Sequence, residues 1–156
     1  MPNTKWFRMN RMQLGRYAEY YAKMEFTSYG YEVYTSEVDD HGVDFVVKSP
    51  LDKRFYEVQV KSIRDFSYVF MRKEYFPLDD NRLLCLLRFV EGQLPEVYII
   101  PAVEWLCPTV LLVEHNYAME GQTSPPEWGI NISKKNLDEL AKYRSEDFFF
   151  LSGKER

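Results

Sequence analysis

The chain is poor in the residues that build zinc sites, disulfides and membrane anchors. Its 156 residues hold two cysteines and two histidines, too few well-spaced nitrogen and sulfur ligands for a tetrahedral zinc site. Cys85 and Cys107 lie in apolar surroundings without metal-ligand spacing, which predicts buried free thiols in a reducing compartment. The longest apolar runs, such as Leu83 to Leu87, fall far short of the roughly 20 residues that a spanning helix needs. The opening MPNTKWFRMNRMQ has no apolar signal core. The expectation is a cytoplasmic protein with no membrane partner. Also missing are the phosphate-cradling G-x-x-x-x-G-K-[ST], the dinucleotide G-x-G-x-x-G and the nucleophile elbow G-x-S-x-G.

What remains is an ordinary globular composition, 46% hydrophobic and 28% charged, in a length that fits one domain with its own core. No internal repeat, low-complexity tract or linker interrupts it. Aromatic content is high at 17%, with 12 Tyr and 11 Phe. Such residues favour strands, cores and adhesive surfaces alike. The net charge of −4 does not announce a nucleic-acid binder, but it is unevenly spread. Residues 1–75 carry 12 Lys/Arg against 11 Asp/Glu, and residues 76–156 carry 8 against 13. Lys5, Arg8, Arg11 and Arg16 meet no acid in the opening segment. That arm suits a phosphate backbone, and equally a solvated, frayed terminus.

Along the chain, Leu14, Ala18, Tyr21, Ala22 and Met24 or Phe26 follow helical spacing, so Met12 to Tyr29 reads as a helix ended by Gly30. Tyr31 to Ser36 reads as a strand, and the acidic stretch Glu37 to Gly42 as a turn or loop. Val43 and Asp44 lead into a strand ending at Lys48. The turn-forming SPLDK joins it to a second strand, Arg54 to Ile63, which together predict a β-hairpin. Residues 64–76 resist assignment. The nearly continuous apolar run Arg82 to Val90 suggests a central strand buried on both faces. Val97 to Ile100 is a further strand, and Pro101 with Ala102 opens a short helix through Leu106. A loop is expected over 114–127, a strand over Trp128 to Ile132, and a helix from Lys134 to Arg144 capped by Ser133.

The strand FYEVQVKSI carries the most chemistry. Side chains alternate across a strand, so Tyr56, Val58 and Val60 share one face while Phe55, Glu57, Gln59 and Lys61 share the other. Asp44 opens the neighbouring strand, and pairing in the hairpin brings it beside this polar row. Carboxylates and an amide oxygen are hard ligands of the kind Mg²⁺ takes, and a nearby ammonium stabilises a developing oxyanion. Such a cluster suits phosphodiester hydrolysis. E-x-Q-x-K by itself also describes the solvated face of an ordinary half-exposed strand.

The series Gly15-Arg16-Tyr17-Ala18-Glu19, Gly42-Val43-Asp44-Phe45-Val46-Val47 and Glu57-Val58-Gln59-Val60-Lys61-Ser62 resembles the PD-(D/E)XK nuclease superfamily. It is most similar to small members such as Holliday-junction resolvases and group I intron-associated homing endonucleases. The resemblance implies an α/β, restriction-endonuclease-like fold, a mixed central β-sheet flanked by helices. It also implies a Mg²⁺- or Mn²⁺-dependent endonuclease acting on DNA, double-stranded or branched. By the same resemblance Asp44 matches the first metal-binding aspartate, Gln59 falls where the second acid is expected, and Lys61 matches the lysine two positions on. Glu19 matches a helix glutamate that lies near the metal. The amide at Gln59 removes one negative charge and weakens Mg²⁺ binding, for which Glu57 or Glu19 would compensate.

Two alternatives stand beside this reading. One is a nuclease fold with weakened catalysis that serves as a DNA-binding or assembly module; the other is an ordinary exposed hairpin with no chemistry. Glu19 also has the i,i+4 spacing to pair with Lys23 on a helix face. His41 reads as a loop histidine or as a substrate contact or proton carrier, and Ser62 as a small strand-end residue or a phosphate contact. Arg72 and Lys73, with Tyr68, Phe70 and Tyr75, interleave bases with aromatics, a pattern that grips nucleic acid or covers a sheet. Cleavage of both strands would favour a symmetric homodimer.

Overall fold

A computed structural model describes residues 1–37 and 41–154; part of the expected acidic loop, residues 38–40, lies outside the described residues. Helix α1 spans Arg11–Ser28. It starts at a capping box in which the Asn10 side chain accepts from the Gln13 backbone N–H and the Gln13 side chain accepts from the Asn10 backbone N–H, satisfying donors that a helix start otherwise leaves bare. Leu14, Ala18, Ala22 and Phe26 form its buried stripe, and Gly30, at φ +86°, carries the chain out of the helix.

Five strands form the central sheet in the order β1-β2-β3-β5-β6: β1 Glu32–Tyr34, β2 Phe45–Lys48, β3 Phe55–Arg64, β5 Arg82–Phe89 and β6 Glu96–Pro101. All pairs are antiparallel except β3 with β5, which are parallel. Parallel neighbours need a crossover, and this one runs through a second, three-stranded antiparallel sheet. Its order is β4-β8-β7, from β4 Ser67–Arg72, β7 Leu112–His115 and β8 Glu127–Ile132. Every residue of β5 is buried. Leu83, Cys85, Leu87 and Phe89 face the core under α1, while Leu84 and Leu86 face the core shared with the small sheet.

The expected mixed sheet flanked by helices is therefore present, but sequence periodicity missed several features. Residues 64–76 contain β4 and a 3-10 turn at Lys73–Tyr75. The start of the expected loop over 114–127 is the end of β7. The single helix expected from Lys134 to Arg144 is instead a 3-10 turn, Lys134–Asn136, followed by the short α2, Leu137–Ala141. Ser133 makes no side-chain cap there. Helix α3, Ser145–Lys154, follows, and its Phe149 packs against Phe26, Tyr29 and Tyr31.

The two thiols also part company. Both are free, Cys85 buried as expected and Cys107 exposed, because Cys107 lies just past the 3-10 turn Ala102–Leu106, which buries Ala102 and Trp105 instead. Burial pushes the Cys85 thiol up, so it is inert. Among the described residues no helix is long and apolar enough to cross a membrane.

The N-terminal arm is docked, not frayed. Trp6 is buried against Tyr17 and Phe89, and its indole N–H donates to the carbonyls of Val90 and Gln93 at 3.1 and 2.8 Å. Arg64 at the end of β3 donates to the carbonyls of Trp6 and Met9. The segment from Trp6 to Met9 is thereby tied to the end of β3, and Arg11 lies with Lys61 and Arg64 on one cleft.

Candidate functional site

The β2–β3 hairpin pairs Phe45 with Val58 and Val46 with Glu57. Phe45, Val47 and Val58 point into the core under α1, so alternation turns Val46, Glu57, Gln59 and Lys61 to the opposite side of the sheet. Asp44 lies one step before Phe45, at a bend just outside β2. Its backbone N–H donates to the Val58 carbonyl at 2.8 Å. Its carboxylate accepts from the Val60 N–H at 2.6 Å, occupying the ladder position that a backbone carbonyl would otherwise fill. The Asp44 side chain is thus fixed at the mouth of the hairpin.

Gln59 and Lys61 line a cleft of about 340 Å³ with His41, Gly42, Phe70, Met71, Arg72 and Tyr75. The Gln59 side-chain carbonyl oxygen is buried and has no hydrogen-bond partner among the described residues. An acceptor left in that condition costs about 1–3 kcal/mol, so its presence calls for a ligand. Lys61 is partly buried. Desolvation lowers its pKa from 10.5, the Asp44 carboxylate opposes that shift, and Arg11 adds to it. Asp44 and Lys61 are therefore within electrostatic reach of each other.

Glu57 is engaged elsewhere. The parallel register sets it beside Arg82, and the two form an ion pair of 2.9 Å in which the arginine side chain is 4% exposed and the glutamate 45%. Arg82 also donates to the Gly42 carbonyl and, at 2.6 Å, to that of Tyr75. One buried guanidinium thus joins β3 to the two loops that wall the cleft. A lone arginine at a strand start gives no sequence signal for that role. Glu19 pairs with Lys23 at 3.3 Å, as helical spacing allows, and Lys23 in turn stands 5.7 Å over the Phe45 ring. The helix glutamate therefore sits one side chain away from the end of β2.

His41 stacks on Tyr75, centroids 4.9 Å apart, and so belongs to the cleft wall. Gly42 has φ +83°, and a Cβ there would collide with the Tyr75 carbonyl oxygen and crowd the Arg82 guanidinium. Gly42→Ala is expected to lower stability by about 2 kcal/mol, from left-handed strain together with the backbone clash. The shift in denaturation midpoint at constant m-value checks it.

Of the expected backbone-gripping bases, Arg11 lines a second cleft of about 480 Å³ that shares Lys61 and Phe70 with the first. Arg72 lines the first and is weakly paired to Glu74 at 3.8 Å. Arg8 is exposed at the end of the turn Trp6–Arg8, and Arg16 is exposed on α1. Lys73 is held by Glu114 and Asn116 and stands 4.0 Å over the Trp128 ring, so it serves the small sheet rather than the cleft.

No protein-family model matches the chain, and no curated protein does either. Among solved structures it matches a bacterial homing endonuclease, I-Ssp6803I, with a TM-score of 0.56, covering 92% of this chain and 93% of that one at 16% identity. The two chains share a fold. At that identity the likeness is one of architecture and leaves the chemistry to be argued from the side chains. Among the described residues no three His, Cys, Asp or Glu side chains gather as a metal cage. The cleft is lined, among the described residues, by the amide of Gln59, and the Asp44 carboxylate lies within electrostatic reach of Lys61 on its wall. Such a sparse set of oxygen donors fits Mg²⁺, which keeps waters and takes one or two carboxylates, better than it fits Ca²⁺.

Proposed function

We propose that the protein is a DNA endonuclease dependent on Mg²⁺ or Mn²⁺ that hydrolyses phosphodiester bonds in the cleft beside Asp44, Gln59 and Lys61. The orphaned, buried Gln59 oxygen carries this reading, because a hard cation is the ligand that would satisfy it next to a carboxylate. Asp44 and Gln59 would hold the cation, with Glu19 or Glu57 reaching it through water. When bound, it would make its water more acidic and offset charge on the phosphate.

The chain's own residues do the rest. The Val60 N–H orients the Asp44 carboxylate so that it need not reorganise. Lys61 donates to the phosphate oxygens on which charge grows, in a partly dry site where such a contact counts for more than in water. Arg11 and Lys61 repel each other, a repulsion that a phosphate bound to both would offset. Arg72 on the far wall would hold a flanking phosphate. The fold shared with a homing endonuclease supports the same substrate.

A second reading, a nuclease fold with weakened catalysis acting as a DNA-binding or assembly module, draws on the commitment of Glu57 to Arg82 and on the amide at position 59. Plasmid and branched DNA incubated with Mg²⁺ or Mn²⁺ should be nicked or cut, and calorimetry should show Mg²⁺ binding at millimolar concentration. DNA binding without any Mg²⁺ binding would select the second reading.

The same cleft gives a directional test. Gln59→Glu restores a second carboxylate beside Asp44 and is expected to tighten Mg²⁺ binding about tenfold. Without Mg²⁺ the variant should be less stable than the parent, since two like charges then face each other. Thermal unfolding with and without Mg²⁺ reads both signs at once.

A further inference from the structure

The open face of the small sheet lies against the Lys61 cleft, and it is aromatic. Along β4, Val69 and Met71 point inward to the core, while Tyr68 and Phe70 are 39% and 47% exposed. Their rings are parallel within 20° at 6.4 Å between centroids. Phe66, at the turn before β4, is 45% exposed and lies against Arg88. Exposed aromatics of this size in one row need a reason, since apolar rings in water are costly.

The sheet is shaped to present them. Tyr68 lies flat over β8 at Gly129, where any Cβ would collide with its ring. Its hydroxyl donates to the buried Glu127 carboxylate. His115 and Tyr117 continue the aromatic surface, His115 packing against Tyr68 and Tyr117 against His115. The row also borders cations: Arg11, Lys61 and Arg64 line the same cleft as Phe66, Tyr68 and Phe70. A flat aromatic ladder beside a basic groove matches the way proteins hold single strands, by stacking bases on rings while cations follow the backbone. Duplex DNA keeps its bases stacked on one another and offers no free π-face to such a ladder.

We propose that Phe66, Tyr68 and Phe70 form a stacking platform for unpaired nucleotides, so that the substrate is DNA with a single-stranded or unpaired stretch beside the bond to be cut. This rests on the nuclease reading of the Lys61 cleft and assigns its substrate class.

The test compares three DNAs of one sequence by fluorescence anisotropy, with Ca²⁺ in place of Mg²⁺: a full duplex, a duplex with an internal unpaired bubble, and the single strand. The wild-type protein should prefer the bubble and the single strand. Phe70→Ala and Phe66→Ala should each reduce that preference roughly tenfold, the scale of one lost stacking contact. Phe70→Trp and Tyr68→Phe, which keep a ring, should retain it. A preference unchanged in both alanine variants, or a wild-type protein that binds duplex as tightly as bubble, overturns the platform. If in that case Mg²⁺-dependent cleavage persists and is lost in Asp44→Ala, the nuclease reading survives and the platform alone has failed. No binding to any of the three DNAs overturns both.

Discussion

Asp44→Ala is expected to abolish Mg²⁺-dependent cleavage while leaving the fold intact. The Asp44 carboxylate is held by the Val60 N–H and acts on Lys61 electrostatically, while Glu19 and Glu57 are engaged by Lys23 and Arg82. Removing one preorganised electrostatic partner of a reacting phosphate costs about 10²–10³ in rate; a lost metal ligand should cost at least the upper figure. Lys61→Ala should fall within that range, with Mg²⁺ affinity kept or slightly improved because a neighbouring positive charge is gone. Single-turnover rates together with Mg²⁺ titrations separate the two roles. Cleavage that survives both substitutions would place the activity elsewhere.

The charge state of Lys61 gives the same proposal a pH signature. Desolvation, reinforced by Arg11, lowers its pKa in the folded protein below the ordinary 10.5. If the protonated amine assists the reaction, the alkaline limb of the rate profile should fall at a lower pH than an ordinary lysine would give. Lys61→Arg, whose guanidinium stays charged, should move that limb upward. Stability runs in the other direction. Between the lowered folded pKa and 10.5 the unfolded chain binds more protons at this position than the folded one, so Lys61 makes stability rise as pH climbs through that window. Lys61→Met should remove this rise.

The polar row of β3 could be read from the sequence because strand alternation is a local rule: Val58 had to go inward, and Gln59 and Lys61 therefore outward. The antiparallel pairing of β2 with that strand followed from the short SPLDK link. What could not be read was set by contacts distant in sequence. Nothing in SYVFMR says that it leaves the sheet of β3 to pair with WGINI some sixty residues on, since alternating apolar residues fit either sheet. The split of the expected helix after Ser133 follows from Asn136, which is buried and donates to the carbonyls of Val110 and Asn131. A tertiary contact there overrides helical propensity. His41 looked like a plain loop residue until Tyr75, brought over by the crossover, stacked on it.

Arg82 is the clearest case of a residue whose weight appears only in three dimensions, and Arg82→Met is expected to be the most damaging substitution for stability. The guanidinium is almost wholly buried and pairs with Glu57, and it supplies donors to the carbonyls of Gly42 and Tyr75. Methionine retains much of the volume but none of the donors. Hydrogen bonds to a charged group contribute about 1.5–3 kcal/mol each, and breaking a buried pair costs about 3–5 kcal/mol when the surviving charge stays dry. Here the survivor, Glu57, is half exposed and can rehydrate, so a loss of about 2–4 kcal/mol is expected for the whole substitution. Glu57→Gln removes only one of the arginine's partners and should cost about 1 kcal/mol. That asymmetry also decides what Glu57 does. If its work is to hold Arg82, Glu57→Gln leaves Mg²⁺ affinity unchanged and the cleavage defect follows the stability loss. If it reaches the cation, Mg²⁺ affinity drops about tenfold with the fold still stable. Urea denaturation and Mg²⁺ titration on the same two variants distinguish these outcomes, and because Arg82 joins the Gly42 and Tyr75 loops, the first effect should appear as a loosened cleft wall before the core gives way.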